Sequence, residues 1–351
     1  MVTDSREAEY EPLCGVKHAL YSRFSGNYSS ESEPVHILFI ALLAGSADAY
    51  ETDQLTERYL PLEDILEAAN AHSDKLLTEA AAATNEAAGC TGNRDEILPI
   101  LAEEIHNVTG KEASVPERGE LRGKGYTMYS VWMESGDNVD RRAFMDPRND
   151  IYSDLNFMQS IILSVAGTNS TFNLNGVLVG SDKPDHFWDL GYWYLRKSKW
   201  GEYPLKGIRH GTATEYGIYG LFTSKTFSYA DLKANYDGYI WFDRLLTEDS
   251  ELQFDDKGCV ARVGNFDWAE WVNWEWDETM NPNTHTKLVE NGIQKHLRAN
   301  KESYCKSFEE LGGADFDAHI QRTVQQHPFY ADGAPTKRWD PYRLAELCSA
   351  G

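Results

Sequence analysis

Residues 182–199 read Asp-Lys-Pro-Asp-His-Phe-Trp-Asp-Leu-Gly-Tyr-Trp-Tyr-Leu-Arg-Lys-Ser-Lys, and this aromatic-dense stretch decides the fold. Its apolar residues recur at three- and four-residue spacing, which predicts a helix that buries one face. Gly191 stands among the aromatic residues, as expected where two helices pack closely. After a Gly/Pro break, two more helices are predicted, at about Leu205–Glu215 and from Ser228 to Leu246. The middle of the chain therefore predicts a mainly α fold.

The flanking sequence extends this prediction. Apolar spacing predicts helices in Leu60–Leu77 and Asp95–Val108, and the apolar segment Asp154–Ala166 suits a buried helix. Tyr126–Trp132 has the composition of a short strand. Asn-Gly and Asn-Ser-Thr signals within Gly167–Gly180 predict a loop or hairpin.

The N-terminal region has the pattern of an export signal. Residues 36–49 are a short apolar run that ends in Ala-Asp-Ala, the form of a signal-peptide core and its cleavage site. The run is shorter than the roughly 20 residues that a membrane span needs. Residues 1–35 are polar and Ser-rich, so we expect a poorly structured extension, which a start codon placed too far upstream would explain. A buried core helix is the alternative for residues 36–49. We expect residues 50–351 to form a single helical domain that is periplasmic or secreted.

The charge balance limits the partners. The chain has 33 Lys and Arg against 56 Asp and Glu, a net charge of −23, so it offers no basic face for nucleic acid or for an anionic membrane. An amine-bearing substrate suits this balance, although solubility alone explains it equally well. No cofactor or metal motif is present, and we expect a monomer without a membrane span.

Five cysteines give a limited prediction. Cys14 lies in the extension, and the other four form an even set without metal-ligand spacing: Cys90, Cys259, Cys305 and Cys348. In an exported protein they would form one or two disulfides, whereas buried free thiols are the alternative. The sequence does not fix the pairing.

The residues that suggest chemistry begin at the end of the second predicted helix. Glu215 precedes Gly217 and Gly220, so it lies at the negative end of a helix dipole, where the pKa of a carboxyl rises. Tyr216 and Tyr219 would add desolvation. A carboxyl that keeps its proton near neutral pH can act as a general acid. The alternative is that Glu215 only precedes a glycine helix cap.

A second carboxyl follows closely in the sequence. Residues 216–228 can form a short hairpin rich in hydroxyls, and Asp231 then lies in the first turn of the next helix behind Ser228, a suitable N-cap. Two carboxyls beside such a loop suit glycoside hydrolysis. Asp231 as a first-turn helix acid without further function is the alternative.

His186 is the candidate with the most competing interpretations. Asp182, Asp185, His186 and Asp189 lie on adjoining helical turns, and His186 could ligate a metal with His210 and a carboxylate. No H-E-x-x-H or comparable spacing supports this ligation. A structural histidine that hydrogen-bonds its neighbours is therefore favoured.

Several segments together carry a resemblance to a known family. They are Tyr50-Glu-Thr-Asp-Gln-Leu-Thr56, Gly89-Cys-Thr91, Asp150-Ile-Tyr-Ser-Asp154, Gly180-Ser-Asp-Lys183 with His186-Phe187, Glu215 to Gly220 with Thr223, Ser228-Tyr-Ala-Asp231-Leu to Asn235, and Trp276-Asp-Glu-Thr-Met-Asn-Pro282. In this order, over about residues 50–300, the chain resembles an exported bacterial lysozyme-like family. The family includes the lysozyme specific for deacetylated peptidoglycan of a predatory bacterium.

The resemblance implies a lysozyme-like helical domain with a small β-hairpin next to the catalytic glutamate. It implies cleavage of β-1,4 bonds in peptidoglycan or another amino-sugar glycan whose amines are free. Glu215 would be the catalytic acid, while Thr223, Thr226, Tyr229 and Asp231 would line the cleft. We further expect Asp231, or a more distant acid such as Asp277 or Glu278, to be catalytic by supporting the water or the cationic transition state. The substrate-binding candidates are Thr223, Thr226, Ser228, Tyr229, His186, Asn235 and Asp185, the last also a reserve catalytic acid. Pro184 and Ser224-Lys225 depart from the family pattern, and residues 1–35 match nothing in it.

Two other classes of function stay open. A non-catalytic cell-wall or carbohydrate-binding protein of the envelope would use its aromatic surfaces to stack on sugars. A structural envelope protein would bury and pair Glu215 with no cleft beside it.

Overall fold

The computed structural model describes residues 51–111, 127–135, 139–144, 149–160, 163, 168–217, 220–221 and 223–349. All of these belong to one compact unit, residues 46–351. The predicted extension, the predicted signal segment and Cys14 lie outside the described residues.

The described residues are mainly helical, which confirms the mainly α class. Helices overlap the segments predicted at Leu60–Leu77, Asp95–Val108, 182–199, Leu205–Glu215 and Ser228–Leu246. Their bounds are α1 Leu66–Ala88, α2 Arg94–Val108, α3 Met128–Ser135, α4 Asp182–Asp185, α5 Gly191–Lys197, α6 Pro204–Tyr216, α7 Tyr229–Asp243, α8 Lys287–Ala299, α9 Lys301–Glu310, α10 Ala314–Thr323 and α11 Leu344–Ser349. A π-helical turn, His186–Leu190, joins α4 to α5, and short 3₁₀ helices lie at Trp268–Glu270, Trp274–Trp276 and Phe329–Ala331.

Two local predictions differ from the structure. Met128–Ser135 is a helix rather than a strand, because Tyr129 and Met133, one helical turn apart, are both buried in the core. Within the predicted helix Asp154–Ala166, residues 154–160 form turns and irregular structure, Leu163 is helical, and the other residues lie outside the described ranges. Just before this segment, the carboxylate of Asp150 accepts the backbone N–H of Tyr152 at 2.9 Å, a side-chain bond that competes with the helical ladder.

The strands are short and form three separate two-stranded sheets. β1 (Thr171–Leu174) and β2 (Val177–Gly180) form the predicted hairpin. Its turn residues Asn175 and Gly176 have φ of 57° and 75°, as a type I′ turn requires. β4 (Leu252–Phe254) pairs with β5 (Val260–Arg262).

The predicted hairpin next to Glu215 is not confirmed. β3 (Thr226–Phe227) pairs with β6 (Thr284–His285), which lies almost 60 residues further along the chain. A strand this short is decided by its long-range partner more than by its own sequence.

Close helix packing holds the centre together. A Cβ on Gly191 would lie 2.6 Å from the carbonyl carbon of Gly238, and one on Gly238 would lie 2.0 Å from the carbonyl oxygen of Phe187. Glycine is therefore required at both positions, and the backbones of α7 and the 182–197 segment touch. Around this contact lie fully buried aromatic side chains: Phe187, Trp188, Trp241, Trp268 and Trp276. The rigid contact fixes how the N-terminal ends of α4 and α7 face each other.

The cysteine pairing is Cys90–Cys259 and Cys305–Cys348. The first disulfide ties the end of α1 to the β4–β5 hairpin, and the second ties α9 to α11. Within the described ranges, none of the helices has the length and apolarity needed to cross a bilayer.

The C-terminal disulfide should contribute measurably to stability. It closes a loop with a sequence separation of 43 residues. Cys305→Ser with Cys348→Ser should therefore lower the free energy of unfolding by about 2–4 kcal/mol, in a denaturant titration monitored by tryptophan fluorescence. The pair Cys90→Ser with Cys259→Ser, which opens a longer loop, should cost at least as much. Unchanged midpoints in both double variants would show that the bonds do not constrain the chain.

Candidate active site

A group of buried ionisable side chains lies where the N-terminal ends of α4 and α7 meet the C-terminal end of α6. We call this group the acid cluster, and each of its residues is at most 7% exposed. Its members are Glu51, Asp182, Lys183, His186, Glu215, Asp231 and Glu278.

Lys183 provides the central positive charge of the acid cluster. Its fully buried ammonium lies 2.6 Å from Asp182 Oδ2, 2.6 Å from Asp231 Oδ1 and 2.5 Å from Glu278 Oε1. Burial alone would lower the pKa of this amine, but the three carboxylates raise it well above its ordinary value. Lys183 is therefore charged, and it links three separate segments of the chain.

Asp231 is held as an anion. As predicted, it lies in the first turn of α7, where the Ser228 hydroxyl accepts its backbone N–H at 3.1 Å. Burial tends to raise the pKa of Asp231, but His186 and Lys183 outweigh burial and bring it well below the ordinary value. His186 Nε2 lies 3.3 Å from Asp231 Oδ2.

The Asn235 side chain contacts His186. Its amide lies 2.8 Å from His186 Nδ1 and 3.3 Å from the Tyr194 hydroxyl. Asp231 raises the pKa of His186 to about 10 against the effect of burial. The charged ring, with Nε2 3.3 Å from Asp231 Oδ2, therefore helps to keep Asp231 ionised.

The surroundings of Glu215 favour the protonated form of its carboxyl. It is the penultimate residue of α6, as predicted, and its Oε1 accepts the Ser228 backbone N–H at 2.8 Å. Burial, and then the negative charge of Asp231, raise its pKa to about 8. A Cβ on Gly220 would lie 2.6 Å from Oε1, so only glycine fits over this carboxyl.

The second oxygen of Glu215 is available. Within the described part of the chain, Glu215 Oε2 has no hydrogen-bond partner, and this oxygen is not completely shielded from solvent. Glu215 as a whole is 4% exposed. Tyr216, from which desolvation was predicted, is 40% exposed, and its ring packs on Phe227. Tyr219 lies outside the described residues.

Glu51 and Glu278 complete the acid cluster. The Asn283 amide donates to Glu51 Oε2 at 3.1 Å and to Glu278 Oε2 at 3.0 Å. Burial raises the pKa of Glu278 to about 7 against the effect of Lys183. Burial and the charge of Glu278 raise the pKa of Glu51 well above its ordinary value. The cluster thus holds carboxyl groups in both protonation states near neutral pH.

Three members of the cluster have the arrangement of possible metal ligands. Ligand atoms of Asp182, His186 and Asp231 all lie within 4.8 Å of one another. The Lys183 ammonium, however, is 2.6 Å from both of these carboxylates. A divalent cation would have to displace a charge that is already paired, which disfavours a metal at this position.

The other predicted site residues mostly make internal contacts. Asp277 lies outside the acid cluster and pairs with Arg58 at 2.7 Å. Asp185 accepts the Thr127 hydroxyl on the far side of α4. The remaining contacts are Thr223 Oγ1 to the Gly220 carbonyl (3.2 Å), Thr226 Oγ1 with His285 Nδ1 (3.1 Å), and the Tyr229 hydroxyl to the Pro335 carbonyl (3.0 Å). The structure thus brings together Glu215, Asp231, Ser228, His186, Asn235 and Glu278.

Lys183 and Glu51 were missed as functional candidates. Both stand in segments that carry the family resemblance, but neither has a local pattern that marks it as part of a site. Comparison with known proteins adds no assignment: no family model, curated protein or solved structure matches this chain.

Proposed function

We propose that this chain is a glycoside hydrolase in which Glu215 is the general acid. The observation that supports the proposal is that the pKa values of two neighbouring carboxyls are shifted in opposite directions. Glu215 has its pKa raised to about 8, whereas Asp231 has its pKa lowered. With pKa values shifted in this way, one carboxyl can donate a proton while the other stays ionised, which are the two roles that glycosidases require.

The chemistry follows from the two protonation states. Glu215 transfers its proton to the glycosidic oxygen, the bond from the anomeric carbon to this oxygen breaks, and the bonding electrons stay with the leaving oxygen. The ionised Asp231 stabilises the cationic sugar, water then adds to the anomeric carbon, and the proton lost by this water restores the Glu215 carboxyl. Lys183 and His186 act as positioning residues, because they hold Asp231 in place and keep it charged.

The proposed substrate is peptidoglycan or a related glycan with free amines on its amino sugars, in keeping with the lysozyme-like family that the sequence resembles. The net charge of −23 supports a cationic substrate. Two disulfides support export to the periplasm or the medium, because oxidising compartments favour such bonds. The lysozyme-like character of the helical fold belongs to this proposal.

The test is digestion of acetylated and deacetylated peptidoglycan in parallel, with analysis of the soluble products. We expect muropeptide fragments, with more released from the deacetylated substrate. Glu215 must be protonated to act, so kcat/KM should fall as the pH rises through about 8. No fragment from either substrate, over the range from pH 5 to 9, would refute the hydrolase.

A non-catalytic glycan-binding protein is the second candidate. It is favoured by the burial of the acid cluster, together with exposed tryptophans such as Trp200 and Trp274. Such a protein would sediment with peptidoglycan but release nothing, and Glu215→Gln would not change its binding.

A further inference from the structure

A separate cavity of about 550 Å³ lies beside the β1–β2 hairpin. Its walls come from the 58–62 segment, the hairpin, the 3₁₀ helix Trp274–Trp276 with Asp277, and the end of α9. This volume is within the usual range for small-molecule sites, about 300–1,000 Å³. The acid cluster contributes none of its lining residues.

The cavity presents a fixed aromatic surface. Trp274 is 40% exposed, and His319 contacts its ring at a centroid distance of 4.8 Å and an angle of 84°. Two residues on, Trp276 is fully buried and donates its Nε1–H to Asp237 Oδ2 at 2.8 Å. Trp276 thus anchors the short helix, while the Trp274 ring contacts His319 and stays partly exposed in the cavity lining. The neighbouring Leu60 is 44% exposed and extends the apolar surface.

Polar groups surround this aromatic surface. Arg58 is paired with the buried Asp277 at 2.7 Å. The Asn173 amide donates to the Leu62 carbonyl at 3.0 Å, while its Oδ1 is unpaired among the residues that the structure describes. Among the described residues, nothing pairs with the Glu310 carboxylate, which also lines the cavity. The lining thus offers several acceptors and a guanidinium around one indole, which suits a ligand with hydroxyls on its rim and an apolar C–H face.

One chain segment contributes to both the cavity and the acid cluster. Asp277 lines the cavity, while the next residue, Glu278, bonds Lys183 in the acid cluster.

We propose that this cavity binds one pyranose unit of a glycan strand, stacked on Trp274, outside the bond-cleaving centre. The inference rests on the proposed function only in taking a glycan as the ligand. Binding here requires no hydrolysis, so the two proposals can fail separately.

The test is calorimetric titration of the Glu215→Gln protein, which prevents turnover. The probes are the β-1,4-linked trisaccharides of glucosamine and of N-acetylglucosamine, titrated separately. Adding Trp274→Ala should weaken binding by about tenfold or more, as expected for loss of a central aromatic contact. Trp274→Phe should retain most of the affinity and so controls for misfolding. Trp339→Ala is the matched control, because Trp339 is 45% exposed and does not line the cavity.

Two results would overturn the inference: no binding of either trisaccharide at millimolar concentration, or equal affinities for the Trp274→Ala and Trp339→Ala proteins. Trp274-dependent binding by a wild-type protein that releases no fragments would refute the hydrolase but support the glycan site.

Discussion

Glu215→Gln should lower kcat on peptidoglycan by a factor of about 10²–10⁴, the usual contribution of a general acid. The amide has almost the same shape as the carboxyl, and its oxygen can still accept the Ser228 backbone N–H. The variant therefore keeps the local packing but has no proton to give. The measurement is the initial rate of fragment release, with circular dichroism and thermal unfolding as checks on the fold.

The matched control for this variant is Glu202→Gln, an exposed glutamate close to the start of α6. It makes the same chemical substitution without touching the acid cluster, so its rate should equal that of the wild type. A Glu215→Gln protein as active as this control would remove Glu215 from the mechanism.

Lys183→Met should produce the largest loss of stability of any single substitution proposed for this chain. The substitution leaves Asp182, Asp231 and Glu278 buried around an apolar group, and removing one partner of a buried ion pair typically costs about 3–5 kcal/mol. The measurement is the free energy of unfolding from a denaturant titration at pH 7.

The loss should depend on pH in a defined direction. Without the ammonium, the three carboxylates can avoid the penalty only by taking up protons, so the destabilisation should be smaller at pH 5 than at pH 8. Lys75→Met is the control, because Lys75 is exposed and makes only a surface pair with Glu79. If Lys183→Met costs no more than Lys75→Met at pH 8, Lys183 does not hold the cluster together.

Local sequence patterns were enough to predict most of the helices. Helix α6 ends beside Glu215 and α7 starts at the Ser228 cap, because both boundaries depend on nearby residues. The Asn175-Gly176 turn is local in the same way. The Met128–Ser135 helix was mispredicted, because burial of Tyr129 and Met133 overrides the strand preference of their neighbours.

The site could be predicted only in part. Glu215, Asp231 and Ser228 lie within 17 residues of one another, so their proximity follows from two adjacent helix ends. Glu51 reaches the cluster through Asn283, 232 residues away, and Lys183 contacts Glu278 across 95 residues. Such contacts depend on tertiary packing, which no local pattern encodes. Within the helix, Lys183 resembles any other basic residue, and only its burial reveals its role.

The central claim is that the Glu215 carboxyl keeps its proton at neutral pH. It can be measured directly by ¹³C NMR titration of the glutamate side-chain carboxyls, with the Glu215 signal assigned by its loss in Glu215→Gln. The account predicts a midpoint near pH 8 for this signal. A midpoint near the ordinary glutamate value of about 4.3 would contradict it, because Glu215 would then be an anion with no proton to donate at neutral pH.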